Sequence, residues 1–367
     1  MQHHTRVFVD LRAYETNLKI LSSTLSPPTR FCAVVKADAY GHGLERVAPI
    51  AAKAEVDYLA ITENWEAECV RDLGISTPLL RLRPATNDEI ITAFEWGVEE
   101  IVGSLEGAQR LSAIAVDRRM TLRVHVALDV GISRMSFPVK NQWEAMHTAM
   151  RLPGLAVAGI MTHFPSADEK NCQETRSQQR NFLAAVQKMQ PPTAVILHAA
   201  NSAGGLRLAD THLDMVRFGI ISYGLAPSEF VPLPNGMQPV MSWNTRVVEI
   251  REVPKGSTIG YGMTKRLTRD SRVATLPIGY ADAYLRAFSN KADVLIRGKR
   301  CPVVGRVSMN MVTVDVTDHP SAMIGDEVVL MGTQGEEQIA AEELAGFADT
   351  INYEITCLLG RCNAKGY

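Results

Sequence analysis

A chain of 367 residues, 46% hydrophobic and 21% charged, is comfortable for two folded domains and ordinary for a soluble globular protein. Its 38 basic and 40 acidic residues leave a formal net charge of -2, which gives no electrostatic footprint for nucleic acid or an anionic membrane. No apolar run is long enough to span a bilayer, and the start reads as strand and helix, not as a signal peptide. Arg6–Val9 is a strand candidate. Asp10 then caps a helix whose Leu11, Tyr14, Leu18, Leu21 and Leu25 form one apolar stripe. Apolar strand candidates follow at Phe31–Val35, Tyr58–Ile61, Pro78–Leu82, Glu99–Val102, Leu122–Leu128, Leu155–Thr162, Ala194–His198 and Leu213–Val216. Helix patterns lie between them, such as Glu63–Leu73 stopped by Gly74 and Asn87–Trp96 stopped by Gly97. Eight strand–helix units in roughly two hundred residues suit a (β/α)8 barrel. Periodicity alone also allows an open doubly wound sheet. The barrel is preferred because the polar motifs all follow strand ends.

The texture changes after Ala226, where Pro227, Pro232, Pro234 and Pro239 break the chain. Short β-type runs then dominate: Thr245–Val253, Arg272–Pro277, Asp293–Ile296, Cys301–Val307, Met311–Val316 and Glu327–Met331. Helices are expected at Glu342–Phe347 and Asn352–Leu359. The expected division is a barrel over residues 10–230 and a mainly β domain over 231–367, with residues 1–9 joining the second. Six scattered cysteines, at 32, 69, 172, 301, 357 and 362, show no metal-type spacing, so no metal site is expected. Reduced thiols in the cytoplasm are the simplest account.

Phe31–Val35 is apolar on both faces and stops at Lys36. A lysine there either ends the strand and reaches water or, desolvated, becomes an amine nucleophile fit for a Schiff base. Val35-Lys36-Ala37-Asp38-Ala39-Tyr40-Gly41-His42-Gly43 resembles the pyridoxal-phosphate lysine motif of the bacterial alanine racemase family. The similarity runs from about Val7 to Tyr353 and carries several motifs in the family's order.

The resemblance implies a pyridoxal 5'-phosphate racemase with two bases, Lys36 and Tyr261, the latter in Ile259-Gly260-Tyr261-Gly262-Met263 and reaching the other subunit's site. Racemisation removes a proton from one face of Cα and returns it to the other, and two bases on opposite faces solve that geometry directly. It also implies that His163 lies beside the cofactor ring. Ser202, Gly219 and Ile220 would bind the phosphate, in loops after the seventh and eighth strands, and Tyr40 and Tyr353 would complete that site. Arg217 would face the pyridine nitrogen. A guanidinium donates a hydrogen bond without protonating the ring, which leaves a poorer electron sink and suppresses transamination. Arg134 would meet the cofactor phenolic oxygen and the substrate carboxylate, Met309 the substrate from the partner subunit, and Tyr280 the entrance.

Four departures from the family's pattern stand out. A family lysine seven residues before Arg134 is Ala127 here, so an anion, a water cluster or a nearby acid is expected to replace its negative partner. Asn310 follows Met309 in place of aspartate, the Gly279–Arg286 loop is altered, and the last seven residues keep only Arg361 and Tyr367 of the usual ending. The expected activity is interconversion of L- and D-alanine by a homodimer acting on a small amino acid, with no nucleic-acid or membrane partner. Two alternatives stay open: a broader racemase taking serine or larger side chains, and a decarboxylase of the same architecture and cofactor. The latter resembles this chain less, since such enzymes place an acid at the pyridine nitrogen.

Overall fold

The computed structural model describes residues 5–140, 142–191 and 194–367. Eight parallel strands form one sheet: β1 (Arg30–Val34), β2 (Tyr58–Ile61), β3 (Leu79–Arg81), β4 (Val98–Val102), β5 (Leu122–Asp129), β6 (Leu155–Met161), β7 (Ile196–His198) and β8 (Met215–Phe218). Their order is β8-β1-β2-β3-β4-β5-β6-β7, so consecutive strands are neighbours and the last returns to the first. Regular ladders join every pair except β7 and β8. That seam is closed by Asp214 N–H donating to Leu197 O at 3.0 Å and Arg217 N–H to Ala200 O at 3.1 Å. The result is the expected (β/α)8 barrel. Burial on both sides explains why strands such as β2 read as continuous apolar runs: all four of its residues are buried, as are Phe31–Val34 of β1.

Helices cover the strands. Asn87–Ala93 begins at a capping box, with the Thr86 hydroxyl accepting from Glu89 N, and a 3-10 turn over Phe94–Trp96 ends at Gly97 with φ 62°. One charged pair is wholly enclosed. Arg81 Nε lies 3.0 Å from the Glu100 carboxylate, and its other nitrogens donate to Thr62 O and Asn64 Oδ1. Burial pushes the Glu100 carboxyl up, and Arg81 opposes it.

Two compact units divide the chain. The barrel unit comprises Arg12–Ala39 and Leu44–Gln238. The other comprises Tyr40–Gly43, Pro239–Tyr367 and the described residues up to Leu11. In this second unit Arg6–Val9 pairs antiparallel with Met241–Arg246 and parallel with Lys365–Gly366. Glu249–Val253, Ser271–Leu276 and Val312–Asp315 form a separate three-stranded sheet. The single run expected at Thr245–Val253 is therefore two strands. The chain changes sheets at Val247 and Val248, whose N–H groups donate to Asp326 O and Thr275 O respectively. Among the described residues no helix is long and apolar enough to cross a membrane.

Candidate active site

Lys36 stands two residues beyond β1, half-buried, at the carboxyl end of the sheet where parallel barrels place their chemistry. The next four residues do not form an ordinary turn. Ala37, Asp38, Ala39 and Tyr40 all have φ between 54° and 56°, one turn of left-handed helix built without glycine. Such backbone costs roughly 1–2 kcal/mol per residue. It is held by Ala39 N–H donating to Val35 O at 2.9 Å and by the Asp38 carboxylate accepting from Leu44 N–H at 2.7 Å. Leu44 opens the right-handed helix Leu44–Lys53.

At the ends of β6, β7 and β8 a second group assembles around Arg217. Its Nη2 donates to Thr162 O at 2.9 Å and Ala199 O at 3.0 Å and lies 3.3 Å from His163 Nδ1. Its Nη1 lies 2.8 Å from His198 Nδ1. Four acceptors against five guanidinium N–H groups leave at least one donor for a ligand. Burial pushes the Arg217 guanidinium down to about 10, so it remains a cation at neutral pH. Ser202 lies just past β7, and its Oγ accepts from Gly219 N–H at 2.9 Å, so two of the five residues expected to bind phosphate touch. Buried Ile220 follows directly. Gly205 is required here, because a Cβ would come within 2.7 Å of Phe218 and Val216.

His163 is only partly exposed and densely surrounded. Burial first, then the charges of Arg217, Arg134 and Lys36, push its imidazole down to about 3. Three cations thus press on one neutral ring. A site with that surplus suits an anionic ligand, so the residues present fit a phosphate-bearing cofactor. Arg134 itself is exposed in the βα loop, and no carboxylate pairs with it among the described residues. The acid envisaged as a replacement partner is therefore absent there, and exposure to water removes the cost of leaving the guanidinium unpaired. A cavity of about 490 Å³ lies against Arg134, lined also by Ser104, Arg110, Asp129 and Met135.

His163 also makes the fold acid-sensitive. Its native pKa lies below the unfolded value near 6.5, so between about 6.5 and 3 the native state binds fewer protons and loses stability as pH falls. Urea unfolding at pH 7.5 and pH 5 should show His163→Asn losing about 2 kcal/mol less than the parent over that interval. Equal losses in both would remove this contribution.

In the second unit, Tyr40 and Tyr353 lie together, ring centroids 6.1 Å apart. Two glycines permit it. A Cβ on Gly41 would sit 2.2 Å from Thr356 O, and one on Gly360 would sit 2.0 Å from Gly41 O. The segment Tyr40–Gly43 therefore lies flat against helix Asn352–Cys362. Tyr261 rides the tip of a hairpin made by Thr258–Ile259 and Lys265–Arg266 and is 70% exposed. Gly260 and Gly262 take φ of 69° and 72°, and Arg306 packs so close to Gly262 that a Cβ would come within 2.7 Å of Nη1. Met309 and Tyr280, also exposed, are tied by Tyr280 N–H donating to Ser308 O and Ala281 N–H to Met309 O, both at 3.0 Å. Tyr261, Met263, Tyr280, Met309 and Met311 together give this unit an exposed apolar set.

The sequence alone did not single out His125, His198 and Glu99, which the barrel joins to Arg217. His125 Nδ1 lies 2.8 Å from His198 Nε2, and His125 Nε2 lies 2.7 Å from Glu99 Oε2. Their signal was polar residues inside otherwise apolar strands.

Comparison with known proteins agrees with this fold. The alanine racemase N-terminal domain family matches residues 9–227, and the alanine racemase C-terminal domain family matches residues 240–367. The chain belongs to the alanine racemase family. It is 39% identical to the alanine racemase of Syntrophobacter fumaroxidans over 365 residues, which is 99% of this chain and 97% of that one. It is also 38% identical to the lysine racemase of Proteus mirabilis, over 96% of this chain and 87% of that one. The crystal structure of alanine racemase from Bacillus anthracis with bound L-Ala-P superposes with a TM-score of 0.90 at 33% identity, covering 98% of this chain and 93% of that one. As a member of the alanine racemase family the chain is an isomerase.

Proposed function

We propose that this alanine racemase homologue interconverts L- and D-alanine with pyridoxal 5'-phosphate, using Lys36 and Tyr261 as its two bases. The observation that carries the reading is the placement of Lys36, His163, Ser202 and Arg217 at the carboxyl ends of the barrel strands, with Arg217 Nη2 3.3 Å from His163 Nδ1 and Gly219 N–H donating to Ser202 Oγ at 2.9 Å. When bound, the cofactor would hold the electron pair left at Cα after proton removal. Lys36 anchors it, and its amine takes or returns the Cα proton on one face. Tyr261 does the same on the other face. Arg217 gives the ring a hydrogen bond without a proton, Ser202, Gly219, Ile220, Tyr40 and Tyr353 bind the phosphate, and His163 packs at the ring. Arg134 takes the substrate carboxylate. Met309 bounds the substrate.

A homodimer follows from the same reading. A phenol exposed as fully as that of Tyr261 needs a partner to be enclosed, and the neighbouring Met263, Met309 and Met311 supply the apolar surface such a partner would cover. None of the six cysteines forms a disulfide, which favours a reducing compartment such as the cytoplasm. A second reading, a broader racemase, is favoured by the cavity beside Arg134 and by similarity to the lysine racemase.

Incubation with pyridoxal phosphate and L-alanine, L-serine or L-lysine, followed by chiral chromatography, tests both readings. L-alanine should run to equal amounts of the two enantiomers. Comparable conversion of L-lysine would favour the broader enzyme. Carbon dioxide release without the D product would overturn both.

A further inference from the structure

Barrel interiors are ordinarily filled by layers of branched apolar side chains. This one holds a polar column. It starts at Arg217 on β8, passes through His198 at the end of β7 and His125 in β5, and reaches Glu99 on β4, with successive contacts of 2.8, 2.8 and 2.7 Å. At the far end Arg123 Nε donates to Glu99 Oε1 at 2.6 Å, and the Tyr58 hydroxyl lies 3.4 Å from both carboxylate oxygens. His125 and His198 are fully enclosed, Glu99 nearly so, and the Arg123 side chain is 55% exposed. The column thus crosses the barrel from the proposed cofactor end to solvent near the amino ends of β4 and β5.

The two ends dictate the middle. A guanidinium only donates, so His198 Nδ1 must be bare and its proton must sit on Nε2. That proton points at His125 Nδ1, which must then also be bare. The His125 proton therefore lies on Nε2 and is given to Glu99, which as a carboxylate only accepts. Every N–H points from Arg217 toward Glu99, and a second proton on either ring would set donor against donor. Burial, which pushes both imidazoles down, agrees. Burial pushes Glu99 up, but the bonds from His125 and Arg123 outweigh it and hold the carboxyl below its usual range.

We propose that Glu99, His125 and His198 are positioning residues: the carboxylate fixes the tautomer of both imidazoles and, through them, the setting of the Arg217 guanidinium toward the cofactor ring. The role at the ring rests on the proposed contact of Arg217 with the cofactor, whereas the tautomers do not. Glu99→Gln is the informative change. The amide keeps the shape, removes the charge and offers an N–H that can face His125, which would reverse both rings and turn a donor toward Arg217. An oriented imidazole whose anchor loses its charge loses activity out of proportion to the distance moved.

Nitrogen-15 labelling of histidine reports which ring nitrogens carry protons. At pH 7.5 the parent should show His125 and His198 neutral with the proton on Nε2. Glu99→Gln, folded by circular dichroism, should lose that single pattern. With pyridoxal phosphate bound, it should absorb at a shifted wavelength, and racemisation kcat should fall roughly ten-fold, the order seen when a group behind a binding histidine is removed. KM should change little. A proton on Nδ1 of either ring in the parent, or a Glu99→Gln protein matching the parent in absorption and kcat, overturns the proposal. If the parent neither binds pyridoxal phosphate nor racemises, the racemase reading falls, and the tautomers alone decide the column.

Discussion

Lys36→Ala is expected to abolish the visible absorption of the bound cofactor and to lower racemisation by about 10⁴-fold, since one side chain serves as both anchor and proton carrier. The fold should survive. Lys36 is half-buried and lies beyond the end of β1, so truncation leaves the apolar strand beneath it intact. Lys36 itself lies outside the left-handed turn, so alanine at 36 adds no residue at positive φ. Spectrophotometry of the purified variant with added pyridoxal phosphate, beside a chiral assay, checks both effects. A variant that keeps its absorption and its turnover would end the assignment of Lys36. Partial recovery with a small added amine would strengthen it.

The second large effect should come from Tyr261→Phe. Only a hydroxyl is removed from a side chain 70% exposed in the chain, so stability should change by less than about 0.5 kcal/mol. The cofactor should still bind with unchanged absorption, because its anchor lies in the barrel. Racemisation should fall by about 10²–10⁴-fold, the usual contribution of a general acid or base. Isotope exchange gives the sharper readout. In deuterium oxide the variant should wash solvent deuterium into Cα of one enantiomer and not the other, because Lys36 still works its own face. Exchange into both enantiomers at the parental rate would remove the phenol from the chemistry. A dilution series adds a check on the shared site. If the phenol comes from a partner, parental activity should fall with protein concentration as a dimer dissociates.

The barrel was legible because parallel strands enclosed on both faces announce themselves as unbroken apolar runs. Observed strands such as Tyr58–Ile61 and Leu155–Met161 coincide with those expected to within a residue or so. The change of sheet at Val247 and Val248 was not legible. Both partners of that stretch are distant in sequence, and the β propensity of its residues is the same on either side of the break. Among candidate site residues, those directly after barrel strands were readable from their positions, and the fold brings His163, Ser202, Arg217 and Gly219 together. The column behind Arg217 was hidden for another reason. His125 and Glu99 are 26 residues apart and His125 and His198 are 73 apart, so only closure of the barrel makes them neighbours. Glu99, beside Glu100, looked like the polar start of a strand, and each histidine like a polar residue among apolar neighbours.

The left-handed turn after Lys36 had no sequence signal either, since Ala37-Asp38-Ala39-Tyr40 is composed of residues that ordinarily coil the other way. Mirror-image residues carry no such penalty at positive φ. A semisynthetic chain bearing D-alanine at position 39 would sit relaxed where the encoded residue is strained. The enantiomer that this protein is proposed to release would thus suit its own lysine loop better than the one the ribosome inserts.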